Sequence, residues 1–258
     1  MDWRVKLVST DFDGTIFDEF ADEPVAASFQ RLIGEFQADG GRWVINTGRD
    51  QASLLEELAR CRVSVRPDYL VVVEREIYVR EGTRYRPDRV WNDRCELQHR
   101  TLAEDLEDEF PTIVSWIRHH SSASVFSDLY SPLAVIATNN DEMDAIDARI
   151  GELTATWPAA AWMRNDVYAR LCHADYSKGT ALLEIQRQLG ISPATVFAVG
   201  DHLNDLPMLE PAVAGHLAAP ANAVPAVKER MREVGGRISE YSCGEAVADQ
   251  LAKLRHGG

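Results

Sequence analysis

Apolar and polar positions alternate in blocks along this chain. Val5 to Thr10 is a short β-rich run, and Phe29, Leu32, Ile33 and Phe36 then recur three and four apart until Gly40-Gly41 interrupts them. That is the spacing of one buried helix face followed by a stop. Trp43-Val44-Ile45 predicts a second strand ending at Asn46-Thr47-Gly48, Leu54, Leu55 and Leu58 predict a second helix, and Tyr69 to Val73 a third strand. Strands alternating with helices at this spacing predict a doubly wound α/β core, a parallel sheet covered on both faces. Ligands in such cores bind outside the carboxyl ends of the strands.

From about Glu76 to His173 the rhythm changes. A hairpin-like stretch surrounds Gly82, and Leu102, Leu106, Phe110, Ile113 and Ile117 follow at helical spacing, with Pro111 placed to kink or split the helix. Leu133 to Ala137 reads as a strand, Met143, Ile146, Ile150 and Leu153 as a helix face, and Ala161 to Cys172 as strand-like. After Ser177 the first rhythm returns, with a helix through Leu182, Ile185 and Leu189, a strand from Thr195 to Val199, and alternating structure to a C-terminal helix near Arg255. The expected organisation is a discontinuous core, residues 1–75 and 174–258, interrupted by an inserted α+β domain over 76–173.

Composition narrows the partners. With 258 residues and 45% hydrophobic positions the chain can bury a substantial core. Its 27 Lys plus Arg against 41 Asp plus Glu leave a net charge of −14, which repels a nucleic-acid backbone. No stretch approaches the roughly 18 apolar residues that span a membrane, and the opening apolar run is too short for a signal peptide. The four cysteines are scattered, without the paired spacing of a zinc site or a dense disulfide framework. A cytoplasmic protein with reduced thiols is expected; the pattern does not choose between a monomer and a homodimer.

The sharpest chemical signal is Asp11-Phe12-Asp13-Gly14-Thr15, directly after the first strand. It sets two carboxylates at the strand's carboxyl end, with Gly14 permitting a tight turn. Taken alone, the same residues also suit a solvated turn. Three further motifs follow in order: Thr47 within Asn46-Thr47-Gly48-Arg49, Lys178 within Ser177-Lys178-Gly179, and Gly200-Asp201-His202-Leu203-Asn204-Asp205 ending in Met208-Leu209. Thr47 also suits a helix N-cap. Lys178 stands out because the chain has only four lysines against twenty-three arginines, and a lysine opening a helix opposes the macrodipole.

In these four motifs the sequence resembles the haloacid dehalogenase superfamily, whose phosphatases carry them in this order on a Rossmann-like core. The resemblance covers most of residues 5–75 and 174–215. It implies that Asp11 attacks phosphorus and forms an aspartyl-phosphate, while Asp13 protonates the leaving oxygen and then deprotonates water. Retention of Asp13 favours ester hydrolysis over the superfamily's dehalogenases. Thr47 and Gly48 would receive the phosphoryl oxygens, with Lys178 offsetting the carboxylates. Asp201 and Asp205, four apart, would converge with Asp11 on Mg2+, ligated directly by Asp11, the Asp13 carbonyl and Asp201, with Asp205 acting through water and Asn204 orienting the surrounding shell.

The insertion lies where the Cof-like and sucrose-phosphatase-like branch carries a type IIB cap. The resemblance therefore implies a small phosphorylated metabolite, a sugar phosphate above all, with the cap excluding water and choosing the substrate. Cof-like members follow the third strand with an Asn-Gly pair, whereas this chain has Glu74-Arg75-Glu76. Arg49, Arg164, Arg170, His173 and His202 are nearby polar residues without an assigned role. A Schiff-base phosphonate hydrolase needs a cap lysine, and the insertion has none. A phosphosugar mutase similar to phosphomannomutase shares the motifs and differs in product, and a catalytically silent binding protein would be expected to have lost one of them.

Overall fold

The computed structural model of the chain describes residues 3–256. The first unit begins with β1 (Leu7–Thr10), α1 (Ala27–Ala38), β2 (Arg42–Asn46), α2 (Gln51–Arg60), β3 (Tyr69–Val72), β4 (Glu76–Glu81) and β5 (Arg84–Pro87). The second unit, residues 89–176, holds α3 (Arg89–Asp105), α4 (Phe110–His120), β6 (Ser124–Phe126), β7 (Ala134–Ile136), α5 (Asn140–Thr154), β8 (Ala160–Asn165) and β9 (Tyr168–His173). The chain then rejoins the first unit with α6 (Lys178–Leu189), β10 (Val196–Val199), β11 (His216–Ala219), α7 (Pro225–Val234), β12 (Arg237–Ile238) and α8 (Cys243–His256).

The large sheet has the order β12-β11-β10-β1-β2-β3-β4-β5, parallel from β12 through β3 and antiparallel across β4 and β5. β1 is central and all four of its residues are buried, as a strand covered on both faces requires. Its neighbours, β10 and β2, come from opposite ends of the sequence, which makes the end of β1 the switch point of the fold. On α1 the buried residues are Phe29, Leu32, Ile33 and Phe36, the face the periodicity predicts.

One sequence expectation needs correction. The hairpin over 76–87 was expected in the insertion, but β4 pairs with β3 and carries β5, so both extend the large sheet and the second unit begins at Arg89. Alternation in this short hairpin does not say which sheet it joins; the antiparallel register Val71↔Ile77 does. The apolar spacing from Leu102 to Ile117 is divided between two helices, the split that Pro111 allows: the proline lies in the first turn of α4, where its missing N–H costs nothing. The passage Ala161 to Cys172 is likewise a hairpin of two strands, turning at Asp166 with φ 54°.

The second unit has its own antiparallel sheet, β6-β7-β9-β8. One face packs Val135, Ala169 and Leu171 against Ile113 and Ile117 of α4 and Met143, Ile146 and Ile150 of α5. All four cysteines are free thiols, and no helix among the described residues is long and apolar enough to cross a membrane.

Asp68 ties the first unit together just before β3. Its carboxylate accepts from Gln37 Nε2 at 2.7 Å, the Trp43 amide at 3.0 Å, Arg80 Nη2 at 3.0 Å and Arg42 Nη1 at 3.1 Å. Burial pushes its pKa up, and these donors, led by Gln37 and the Trp43 amide, outweigh it and hold the pKa below the ordinary value. Asp68→Asn should cost about 2 kcal/mol at neutral pH, with the exposed Arg42 contributing little. A depressed folded pKa stabilises above the unfolded value, about 4, and the contribution fades as pH falls through the folded one. Denaturant titrations of both proteins should therefore converge in acid.

Candidate active site

The parallel strands present their carboxyl ends along one sheet edge, and the loops that leave them carry the predicted residues. Asp11 follows β1, Thr47 follows β2 and Asp201 follows β10, while the Asp11 amide donates to the Val199 carbonyl at 3.0 Å and fixes the loop after β1 beside the end of β10. Lys178 is the first residue of α6, whose N-cap Ser177 and Thr180 exchange hydrogen bonds in a capping box. That cap sets the helix start so that the lysine enters the site, fully buried.

Lys178 Nζ donates to Asp11 Oδ1 at 2.8 Å and to Asp205 Oδ1 at 2.6 Å. The other oxygen of Asp205 accepts from the amides of Asp201 at 2.8 Å and His202 at 2.9 Å, folding the loop back on itself. Asp201 Oδ1 accepts from Thr15 Oγ1 at 2.7 Å. Carboxylate oxygens of Asp11, Asp201 and Asp205 lie within 4.8 Å of one another.

Gly14 closes the turn with φ 70°, and a Cβ added there would overlap the Asp201 carboxylate. Gly14→Ala therefore combines a left-handed strain of about 1 kcal/mol with displacement of Asp201. In a denaturant titration without added cation, Gly14→Ala should lose about 1 kcal/mol or more against wild type.

Asp13 is placed differently from Asp11. Its carboxylate is held in a bidentate pair by Arg49, Nε to Oδ2 at 2.8 Å and Nη2 to Oδ1 at 2.6 Å. The guanidinium lies 5.3 Å from the Phe12 ring centroid and 5.6 Å from that of Phe17, and the two rings stack on each other. Arg49, unassigned from sequence, is thus the residue that orients Asp13. Thr47 is buried, and its Oγ1 accepts from the Arg49 amide at 3.2 Å. The N-cap of α2 is Asp50, which accepts from the Ser53 amide at 2.9 Å, so Thr47 does not cap that helix. At Gly48 a Cβ would meet Glu74 Oε1 at 3.5 Å, an ordinary contact, so nothing in the surrounding protein demands glycine there.

Sequence reasoning missed Glu74. It is buried, and its Oε1 accepts from Asn204 Nδ2 at 2.8 Å. The only sequence signal was the charged triplet where the resembled branch has Asn-Gly. Arg164 pairs with Asp144 at 2.5 Å and Asp147 at 2.6 Å inside the second unit.

The electrostatics describe a site short of positive charge. Burial, and then the charge of Asp205, raises the Asp11 pKa well above the usual carboxylate range despite Lys178. Asp201 is pushed up to about 7 by burial and by Asp205, against the Thr15 hydrogen bond. Burial pulls Lys178 down, but Asp11 and Asp205 outweigh it and keep the ammonium charged. One lysine thus faces three carboxylates. The deficit and the all-oxygen donor set fit a hard divalent cation.

The description of the haloacid dehalogenase-like hydrolases matches residues 69–249. The chain belongs to that family. The sucrose-6F-phosphate phosphohydrolase description matches residues 4–114 of this haloacid dehalogenase-like hydrolase. A phosphoglycolate phosphatase of Methanoculleus marisnigri is 56% identical over 77 residues, 30% of each chain, and one from Methanothrix thermoacetophila is 38% identical over 82 residues, 32% of this chain and 34% of the relative. The chain spans about a third of the length of these curated relatives. Among solved structures, the sucrose-phosphatase of Synechocystis sp. in complex with sucrose and phosphate superposes with a TM-score of 0.74 at 20% identity, covering 97% of this chain and 98% of that one. A haloacid dehalogenase-like hydrolase from Bacillus subtilis gives 0.68 at 18% identity over 96% and 99%. These two likenesses concern the fold.

Proposed function

We propose that this haloacid dehalogenase-like hydrolase is a Mg2+-dependent phosphatase acting on a small phosphorylated metabolite, a sugar phosphate in the first instance, with Asp11 as nucleophile. The observation that carries the reading is the buried Lys178 bridging Asp11 and Asp205 beside Asp201. Phosphoryl transfer asks for this combination of a positioned oxygen nucleophile and dense compensating charge. The names of the matched relatives, phosphoglycolate phosphatase and sucrose-phosphatase, support the same reaction class.

Asp11, Asp201 and the Asp13 carbonyl would hold the cation, with Asp205 behind them. When bound, it supplies Lewis-acid neutralisation of the phosphoryl oxygens. With Oδ1 of Asp11 held by Lys178, Oδ2 attacks phosphorus; the ester P–O bond breaks, its electron pair leaves with the alcohol oxygen, and that oxygen takes a proton from Asp13, which has first picked it up from solvent on the oxygen released from its Arg49 pair. Water then attacks the aspartyl-phosphate, Asp13 takes the water proton, the P–O bond to Asp11 breaks and inorganic phosphate leaves. Thr47 and Gly48 receive phosphoryl oxygens, and Arg49 aims Asp13 through its bidentate pair. The 89–176 unit serves as the cap that selects the substrate.

The test is phosphate release from phosphoglycolate, sucrose 6-phosphate, hexose phosphates and an aryl phosphate, with Mg2+ and with chelator. Release that requires Mg2+ is expected, greatest on a sugar phosphate. A phosphorylated isomer in place of free phosphate would sink the hydrolase reading and favour a mutase. Preference for phosphoglycolate would keep the phosphatase and overturn the sugar assignment.

A further inference from the structure

The turn after β3 is built against local preference. Val73 has φ 45° and Glu74 φ 66°, two successive non-glycine residues in left-handed backbone, the first of them β-branched. Such strain persists only where surrounding structure enforces it, and it concentrates at functional sites. Here the Thr47 amide donates to Val71 O at 2.8 Å, the Val73 amide to Arg49 O at 2.9 Å and the Glu74 amide to Thr47 O at 2.9 Å. The turn is thereby pinned to the Thr47–Arg49 loop.

What the strain achieves is the burial of a carboxylate at one specific point. Glu74 is 4% exposed, its charge bears on Lys178, and its Oε1 takes the hydrogen bond from Asn204 Nδ2. Asn204, 2% exposed, sits in the loop between Asp201 and Asp205. A carboxylate only accepts, so the Asn204 amide cannot rotate by half a turn without setting oxygen against oxygen. Its Oδ1 is therefore fixed as an acceptor, and that buried atom has no hydrogen-bond partner among the described residues. A buried acceptor left without a donor is disfavoured, which points to a donor that arrives with the ligand.

We infer that Glu74 is a positioning residue, locking the Asn204 amide so that Oδ1 accepts from a water carried by the bound cation. This rests on the cation-dependent reading above, and it gives a role to a residue that sequence reasoning left unassigned. Because Glu74 fixes the Asn204 amide through that hydrogen bond, the part of its effect that depends on the amide's orientation must vanish when Asn204 is absent.

The test uses Glu74→Gly, Glu74→Gln, Asn204→Ala and the Glu74→Gly/Asn204→Ala double variant of the full chain. The readouts are melting temperature against Mg2+ concentration, and kcat and KM on the best substrate. Glycine suits φ 66°, so Glu74→Gly should melt at or above wild type without Mg2+. It should nevertheless need about 10–100-fold more Mg2+ for half of the stabilisation, with kcat falling more than KM rises. Glu74→Gln, whose Oε1 can still accept from Asn204, should restore the Mg2+ response to within about threefold of wild type. Asn204→Ala should match Glu74→Gly, and the double variant should be no worse than either. A Glu74→Gly protein that melts lower and keeps its Mg2+ response would show a structural role instead. Additive losses in the double variant would break the link through Asn204. The Mg2+ titration needs no substrate, so it stands or falls separately from the phosphatase assignment.

Discussion

Asp11→Asn is expected to lower phosphate release by on the order of 10^4-fold or more, the scale of removing a covalent nucleophile, while the protein stays folded. Asparagine is nearly the same shape, and its Oδ1 can still accept from Lys178 Nζ, now 2.8 Å from the aspartate oxygen. What is lost is the second oxygen's charge. Three carboxylates crowd one another with a single lysine between them, so deleting one relieves repulsion. In chelator the variant should therefore melt no lower than wild type, and in Mg2+ it should gain less stability, having lost a ligand. A residue that is dispensable for folding and required for turnover is one whose cost the fold carries for function.

Lys178→Met is expected to have the largest effect on stability. The ammonium is fully buried against Asp11 and Asp205, themselves 8% and 0% exposed at the side chain. Removing the cation of such a set strands the carboxylates in a low-dielectric interior, a loss of about 3–5 kcal/mol. Its position explains the size: the ammonium joins the loop after β1 to the loop after β10, and the Lys178 carbonyl also accepts from Asn46 Nδ2 at 2.9 Å at the end of β2. Two controls check the cause. Adding Asp205→Asn should recover part of the loss, because one stranded charge is gone, and lowering the pH should narrow the gap to wild type as the carboxylates protonate. Equal losses across pH would assign the effect to packing of the lysine stem instead.

Much of this site was legible because its signals are local. Asp11, Thr47 and Asp201 each follow an apolar strand, and in a parallel sheet that alone places them on one edge. Lys178 was marked by rarity among cations and by an unfavourable place at a helix start; the buried contact to two carboxylates supplies the physical reason. Glu74 was not legible in the same way. Its conformation contradicts residue preference and is enforced by the Thr47–Arg49 loop some 25 positions earlier in the chain, a tertiary cause that no local window contains. The partner of Arg49 was hidden for a related reason: an arginine beside Thr47 suits a substrate contact or a surface ion pair equally, and only the fold brings Asp13 against it. The hairpin over 76–87 was misassigned because alternation specifies a strand and leaves its sheet open, and β4 was recruited by β3 immediately before it.

The direct measurement of the central claim is acid-quenched mass spectrometry of the enzyme during turnover of its best substrate in Mg2+. The account predicts the mass of one phosphoryl group on the peptide carrying Asp11, cleared by alkaline hydroxylamine and absent from Asp11→Asn. A phosphoryl group on any other residue, or turnover that persists in the folded Asp11→Asn protein, would contradict it.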